Sequence, residues 1–235
     1  MAGFDELGKI LIVIPARGGS KRLPRKNLLL LGGRPLICWT IEAALATNLT
    51  VRIVVTSDDP EILAIADAYV EAGVVSHKRP CHLATDTATS AAAAIDALKA
   101  QTKAGYEADT IILLQPTSPL RTADDIRTAL LVFSEKGCND TIVTVCEVDH
   151  PTAWVGTVED DSRLSMSDLN EKRSQDLPKE YRLNGAVYVT RAEVLLETQS
   201  FLTGQLWASV MPRERSFDID EEIDFYICES LIIGR

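Results

Sequence analysis

The sequence has no excess of positive charge, no long apolar run and no paired-cysteine motif. Lys and Arg number 24 against 34 Asp and Glu, a formal charge of −10. A chain this acidic is a poor general binder of nucleic acid or of an anionic membrane surface, so any anion it binds must be held by a local patch. The longest early apolar run covers residues 10–14, far short of the ~20 residues that span a bilayer. The five cysteines (Cys38, Cys81, Cys138, Cys146 and Cys228) include no C-x-x-C pair, which removes the usual start of a zinc or redox site and fits a reducing compartment. His77, His82 and His150 do not have metal-ligand spacing. Neither G-x-x-x-x-G-K-[ST] nor G-x-G-x-x-G occurs, so the P-loop and the dinucleotide fingerprint are excluded. Without G-x-S-x-G there is no nucleophile elbow. The opening MAGFDELGK carries acids where a secretory signal needs positive charge. The expected location is cytoplasmic.

What is present is a regular alternation. Short Ile- and Val-rich runs at residues 10–14, 51–56, 111–114 and 141–145 read as buried strands. Amphipathic stretches at 35–47, 60–72, 89–104 and 123–136 read as helices, with Thr122 as a cap and Gly73 and Gly137 as terminators. Such βαβα order predicts a mostly parallel sheet covered by helices on both faces. The pattern breaks over residues 146–182, a polar and aperiodic stretch that predicts a protruding excursion or a partner surface. It resumes with a strand at 185–190 and helices at 191–196 and 221–233. Residues 1–235 read as one domain.

Ligands of open α/β sheets bind beyond the carboxyl ends of the strands. The first such end carries Arg17, Lys21, Arg22, Arg25 and Lys26, and no acid interrupts residues 17–27. Gly18 and Gly19 let the backbone approach a ligand closely, and Ser20 adds a hydroxyl donor. These are the parts of a polyphosphate cradle. Near the other end of the chain stands Asp218-Ile219-Asp220. If it is extended, both carboxylates point one way and Ile219 points to the core. Two hard oxygen ligands suit Mg²⁺, which takes its remaining ligands from water and phosphate. The competing reading is a helix start, with Asp218 and Glu221 as a capping box or Asp220 as the cap.

Taken together these segments resemble a known family. Ile14-Pro15-Ala16-Arg17-Gly18-Gly19-Ser20-Lys21 with Leu23-Pro24 and Lys26-Asn27 is similar to the signature of the CMP-N-acylneuraminate synthetases, cytidylyltransferases that activate sialic acids. Four further blocks follow in the family's order: Arg79-Pro80 to Asp86-Thr87; Leu113 to Arg121; Gln175 to Pro178 with Tyr181 to Ala186; and Asp218 to Asp220. The resemblance implies a Rossmann-like nucleotide-diphosphosugar transferase fold whose irregular segment, 146–182, serves dimerisation. It implies that CTP and a nine-carbon 2-keto sugar acid give a CMP-sugar and pyrophosphate with Mg²⁺. It makes Arg17, Ser20 and Lys26 triphosphate ligands, with Lys21 nearby. Asn27, Arg79 and the backbone at Pro15 and Ala16 would frame cytidine. Gln115, Asn184 and Tyr188 would line the sugar pocket, with Phe201 as an apolar wall. Arg173 would reach across a homodimer interface. Asp218 and Asp220 would hold the metal. Two departures bear on the sugar: Arg22 stands where many neuraminate-specific relatives carry Gly, and His150-Pro151-Thr152-Ala153 lacks a lysine that some relatives place just after the His-Pro. A legionaminic or other nonulosonic acid therefore stays open as the substrate, as does a non-catalytic nucleotide-binding module.

Overall fold

A computed structural model describes residues 5–166, 173 and 176–234. Gln175 and most of the polar run 170–175 lie outside the described residues. The strands are β1 (Ile10–Pro15), β2 (Leu30–Leu31), β3 (Arg34–Pro35), β4 (Val51–Ser57), β5 (Val74–Lys78), β6 (Thr110–Leu113), β7 (Thr141–Glu147), β8 (Gly156–Val158), β9 (Leu164–Met166), β10 (Tyr181–Arg191) and β11 (Leu206–Val210). The α-helices are α1 (Leu36–Leu45), α2 (Pro60–Asp67), α3 (Ser90–Lys103), α4 (Ala123–Glu135), α5 (Ala192–Thr198) and α6 (Glu222–Ile233). Seven strands form one sheet in the order β11-β7-β10-β6-β1-β4-β5. Its pairs are parallel except those made by β10, which runs antiparallel to β6 and β7.

The alternation within β1 explains the layers. Ile12 and Ile14 pack with Ile37 and Ile41 of α1, Ile62 of α2 and Phe133 of α4. Leu11 and Val13 face the other way, against Ala94 and Leu98 of α3 and Leu195 of α5. Each fully buried Ile or Leu contributes about 1.5–3 kcal/mol, and a strand with two buried faces needs a continuous apolar run. The helix starts are locally encoded. Asp59 accepts from the Glu61 N–H ahead of Pro60, Thr89 accepts from the Ala92 N–H, and Thr122 and Asp125 form a reciprocal capping box. The helices that follow β1 and β6, α1 and α4, lie in the same layer, and α3 covers the opposite face. A crevice opens at the neighbouring ends of β1 and β6.

Several expectations need correction. The stretch 60–72 is α2 followed by a separate 3-10 turn, Val70–Ala72, closed by Gly73 at φ +88°. Edge strands β5 and β11 and the short hairpin β2–β3 escaped the sequence reading. They are short, and β5 is mostly half-buried and β11 mostly exposed, so they lack the fully buried run of the central strands. The irregular segment is shorter than 146–182, because β7 runs to Glu147 and β10 begins at Tyr181, and it carries an antiparallel hairpin, β8–β9. Among the described residues no helix is long and apolar enough to cross a membrane.

Candidate active site

A cavity of about 480 Å³ occupies the crevice at the ends of β1 and β6. Arg22 and nine residues given site roles from the sequence line it: Pro15, Arg17, Ser20, Lys21, Lys26, Asn27, Arg79, Gln115 and Asp220. Ala88, Thr89 and Ser90 also line it, so the N-terminus of the 14-residue helix α3 opens on the cavity. That end presents unsatisfied N–H groups and a partial positive charge to any anion inside.

The loop after β1 is held from beneath. The Gly18 N–H donates to Asp58 Oδ1 at 3.1 Å, and a Cβ on Gly18 would stand 2.6 Å from Asp59 Oδ2. Gly19 has nothing within 4 Å of where its Cβ would be, which leaves room for a ligand. The loop's cations find acids from distant segments. Arg17 and Lys21 share Asp86, at 2.8 and 2.6 Å. Arg22 and Lys26 share Asp220, at 3.0 and 3.3 Å, and the Lys26 ammonium also donates to the Ile219 carbonyl. Arg25, at φ +54°, pairs with Asp59 and Glu61 and does not line the cavity. The hydrogen bond from Lys21, ahead of the one from Arg17, holds the Asp86 carboxyl below its ordinary range.

At the inner end Arg79 is 6% exposed. Its Nη1 reaches the Leu83 carbonyl at 3.4 Å, while Nε and Nη2 have no partner. Burial lowers the guanidinium pKa, and the charge of Asp58 opposes that. Asn27 is equally buried. Its Nδ2 donates to the Arg17 carbonyl at 3.0 Å, which fixes the amide and leaves Oδ1 without a donor. Buried polar groups are almost always paired, so three unmet atoms on two residues of the cavity wall mark a place for a ligand.

The opposite side differs. Gln115 reaches the cavity because Gly185, at φ +74°, makes way for it: a Cβ there would lie 2.4 Å from Gln115 Oε1. Gly185 falls where the β10 register shifts between Leu183 and Tyr188. Asn184 does not line the cavity, contrary to expectation. Its Nδ2 donates to Ser216 Oγ at 2.9 Å and its Oδ1 accepts the Ala186 N–H at 3.1 Å, so its amide braces the irregular strand. Tyr188 packs on buried Phe201, ring centroids 5.9 Å apart, within the core layer under α3, and neither lines the cavity. Burial, reinforced by the charge of Asp218, raises the Tyr188 hydroxyl pKa. Ala16 is buried, its N–H donating to the Thr56 carbonyl at 3.0 Å. Arg173 is exposed and away from the cavity wall.

Asp218 and Asp220 are exposed on either side of buried Ile219, the alternation expected of an extended stretch. Ile219 is buried with Leu31, Leu36 and Leu120, and its N–H donates to the Thr117 carbonyl at 2.8 Å. The helix-start reading fails: Glu221 is the N-cap of α6, and Asp224 accepts the N–H groups of Asp220 and Glu221 at 3.0 and 2.8 Å. Both aspartates are thus free of capping duty. Asp218 is solvent-accessible but crowded by protein, and that loss of water raises its carboxyl above the ordinary range. The Asp220 charge adds to the rise, and a hydrogen bond from Thr117 opposes it. No group of three or more His, Cys, Asp or Glu suited to a metal occurs among the described residues. Two neighbouring carboxylates, one held at an electrostatic cost, fit a hard cation that draws its other ligands from a phosphate.

The residues missed from sequence are Asp86, Thr117 and the α3 N-terminus. Asp86 and Thr117 lay inside the quoted blocks, and their pairing with segments roughly 70–100 positions away has no local signal.

Comparison with known proteins adds an independent line. Residues 11–202 match the family described as cytidylyltransferase. The chain is 37% identical over 218 residues to N-acylneuraminate cytidylyltransferase of Escherichia coli O18:K1:H7, covering 92% of this chain and 50% of that one. It is 36% identical over 232 residues to CMP-N,N'-diacetyllegionaminic acid synthase of Legionella pneumophila, covering 95% and 96%. It spans about half the length of the Escherichia coli protein and nearly all of the Legionella one. The structure of CMP:2-keto-3-deoxy-manno-octonic acid synthetase complexed with CTP superposes with TM-score 0.72 at 20% identity, over 96% of this chain and 99% of that chain. That likeness establishes the fold.

Proposed function

Because the chain belongs to the cytidylyltransferase family, we propose that it transfers CMP from CTP to a nine-carbon sugar acid of the sialic type, releasing pyrophosphate. The observation that carries this reading is the unmet set on Arg79 and Asn27. Two donors on a guanidinium edge and one amide acceptor complement the cytosine edge, which offers O2 and N3 as acceptors and N4–H₂ as donor. Uracil reverses the last two, so it would set N3–H against the guanidinium and O4 against Asn27 Oδ1. A buried site that faces the wrong polar edge discriminates strongly.

The rest of the cavity fits the reaction. Arg17, Ser20, Lys21 and Lys26, with the α3 N-terminus, form the triphosphate end. The anomeric hydroxyl of the acid loses its proton and its oxygen attacks the α-phosphorus. The bond from that phosphorus to the β-phosphate oxygen breaks, and pyrophosphate leaves. Such chemistry depends on alignment and on neutralising charge. Asp218 and Asp220 would hold Mg²⁺, which neutralises phosphate charge when bound. Lys26 sits between Asp220 and the triphosphate end and keeps a cation there. Gln115 faces the second substrate.

The same reading makes the protein a cytoplasmic homodimer. Trp154, Val155, Val158 and Leu164, on and beside the β8–β9 hairpin, are exposed large apolar side chains, a patch that a second copy would cover. Arg173 belongs to this excursion and would act across the interface. A monomer by light scattering that turns over at the same concentration refutes the dimer. Pyrophosphate release with CTP, Mg²⁺ and a panel of nonulosonic acids tests the activity and ranks neuraminic against legionaminic acid. Arg17→Ala should abolish turnover or raise the CTP constant with an unchanged far-UV spectrum. Wild-type CTP affinity in the folded variant rejects the triphosphate site.

A further inference from the structure

Arg121 is 2% exposed. It is the last residue of the loop block that begins at Leu113. Its Nη1 donates to the Gln115 carbonyl at 3.1 Å and to the Ala186 carbonyl at 2.9 Å, and its Nη2 donates to Thr40 Oγ1 at 2.7 Å. Among the described residues no carboxylate pairs with it directly, and its Nε has no partner. Asp125, whose charge influences it, is engaged by both prongs of Arg215. Burying a cation without an ionic partner is costly, and apolar replacements usually serve stability as well or better. What an apolar residue cannot do is hold three acceptors from three segments in one plane.

Those acceptors surround one feature of the cavity. The Gln115 carbonyl belongs to the residue whose side chain enters the site. Ala186 follows Gly185, against which the Gln115 carboxamide rests. Thr40 ties the group to α1. We propose that Arg121 is a positioning residue: by gripping the carbonyls on both sides of the Gln115–Gly185 contact it fixes the Gln115 carboxamide in the cavity and sets the sugar-acid subsite. Burial lowers the guanidinium pKa to about 9, opposed by Asp125, so the grip stays cationic at neutral pH. None of its bonds touches Asn27, Arg79 or the triphosphate loop, so the effect is confined to the second substrate.

The inference rests on Gln115 facing the sugar acid, and two readouts separate it from that assignment. The first is kinetic, on Arg121→Lys and the milder Thr40→Val. In Arg121→Lys the KM for the sugar acid should rise about tenfold or more, since bonds to a charged group are lost, while the CTP dissociation constant stays within about twofold. Thr40→Val should shift the same constant less and in the same direction. The second needs no turnover: the side-chain NH₂ signal of ¹⁵N-labelled Gln115 should move in both variants of the ligand-free protein. Variants that melt lower with an unchanged sugar-acid KM and an unmoved Gln115 signal make Arg121 merely structural and overturn the proposal. Equal loss of CTP and sugar-acid binding overturns it too. If the wild type turns over no acid in the panel, the functional reading fails, and the Gln115 signal alone decides whether Arg121 positions it. Should Arg121→Lys not fold, Thr40→Val carries both readouts.

Discussion

On one wall of the cavity Arg79 and Asn27 keep three buried polar atoms without partners; behind the opposite wall Asn184 has both ends of its amide bonded within the protein. Both sets are buried, and both lie in blocks that resemble the same family. The difference separates two uses of a buried polar residue. Atoms left unmet in a folded chain cost stability unless something arrives to meet them. Atoms that are satisfied hold the backbone in a shape it would not otherwise keep, here the irregular stretch of β10 that admits Gln115. On the proposed function, the Arg79 side is the nucleotide end, prepared for a ligand within one chain, whereas the Gln115 side is the sugar end, prepared as a scaffold.

The largest test strikes where the two ends meet. Asp220→Asn should lower Mg²⁺-dependent turnover by about two orders of magnitude or more, with Asp218→Asn less severe. Melting should move little, because the exposed pair with Arg22 contributes about 0–1 kcal/mol and buried Lys26 keeps its bond to the Ile219 carbonyl. Near-normal turnover would reduce Asp220 to a partner for two cations.

Next in size is Arg79→Met, which goes directly at the comparison. If the unmet donors await a base, CTP affinity should fall about a hundredfold or more, the loss of two charge-assisted hydrogen bonds at about 1.5–3 kcal/mol each. Thermal stability should hold or rise, since an unpaired buried charge is removed. Isothermal titration and melting on one preparation give both signs. A drop in stability with CTP binding intact would make Arg79 a structural residue like Asn184.

How far these roles can be read from the chain follows from what each depends on. The central strands and their helices are legible because burial on two faces demands an unbroken apolar run, as in Ile10–Pro15. The basic loop is legible because its five cations fall within residues 17–26 with no acid among them. Edge strand Leu206–Val210 is not, since a five-residue run that is mostly exposed has no buried alternation to set it apart. Asn184 turns away from the cavity because β10 gains three residues on β7 between Leu183 and Tyr188, an odd shift that redirects every side chain beyond it, and no composition signals it. The capping alternative at Asp218 was a fair local reading. It failed because Asp224, further into the helix, reaches back to take the same N–H groups.

A moderate effect is expected at the anchor that carries the Asp218–Asp220 segment. Arg215 grips Asp125 through two hydrogen bonds of 2.9 Å each. Burial alone would raise the Asp125 carboxyl pKa, but the Arg215 fork and the Thr122 bonds outweigh it, and the net shift is downward. A carboxylate with a depressed folded pKa stabilises fully above its ordinary value and loses that contribution as pH falls through the folded one. Arg215→Met should therefore cost about 2–3 kcal/mol near neutrality. The gap to the wild type should close as pH falls below about 4, the ordinary aspartate range. Denaturant melts across pH 3–8 would show it, and a gap independent of pH would assign the loss to packing.

The smallest effect concerns Asp86, and it qualifies the idea that the nucleotide end simply waits. In the free protein Asp86 occupies Arg17 and Lys21, two of the groups assigned to the triphosphate, and it stands as an internal anion in their place. All three side chains are at least one-third exposed, so the pairs are screened by water and weak. A triphosphate carries more charge and more acceptor oxygens, and it should displace the carboxylate readily. Asp86→Asn removes the competitor without touching either cation. Inorganic triphosphate should then bind about twofold to fivefold more tightly, and the gain should shrink as salt is raised, because exposed ion pairs are screened over about 10 Å at 0.1 M. The sign is what matters. Weaker binding in Asp86→Asn would mean that the carboxylate orders the loop for its ligand, and the nucleotide end would then rely on the same internal bracing that Asn184 provides across the cavity.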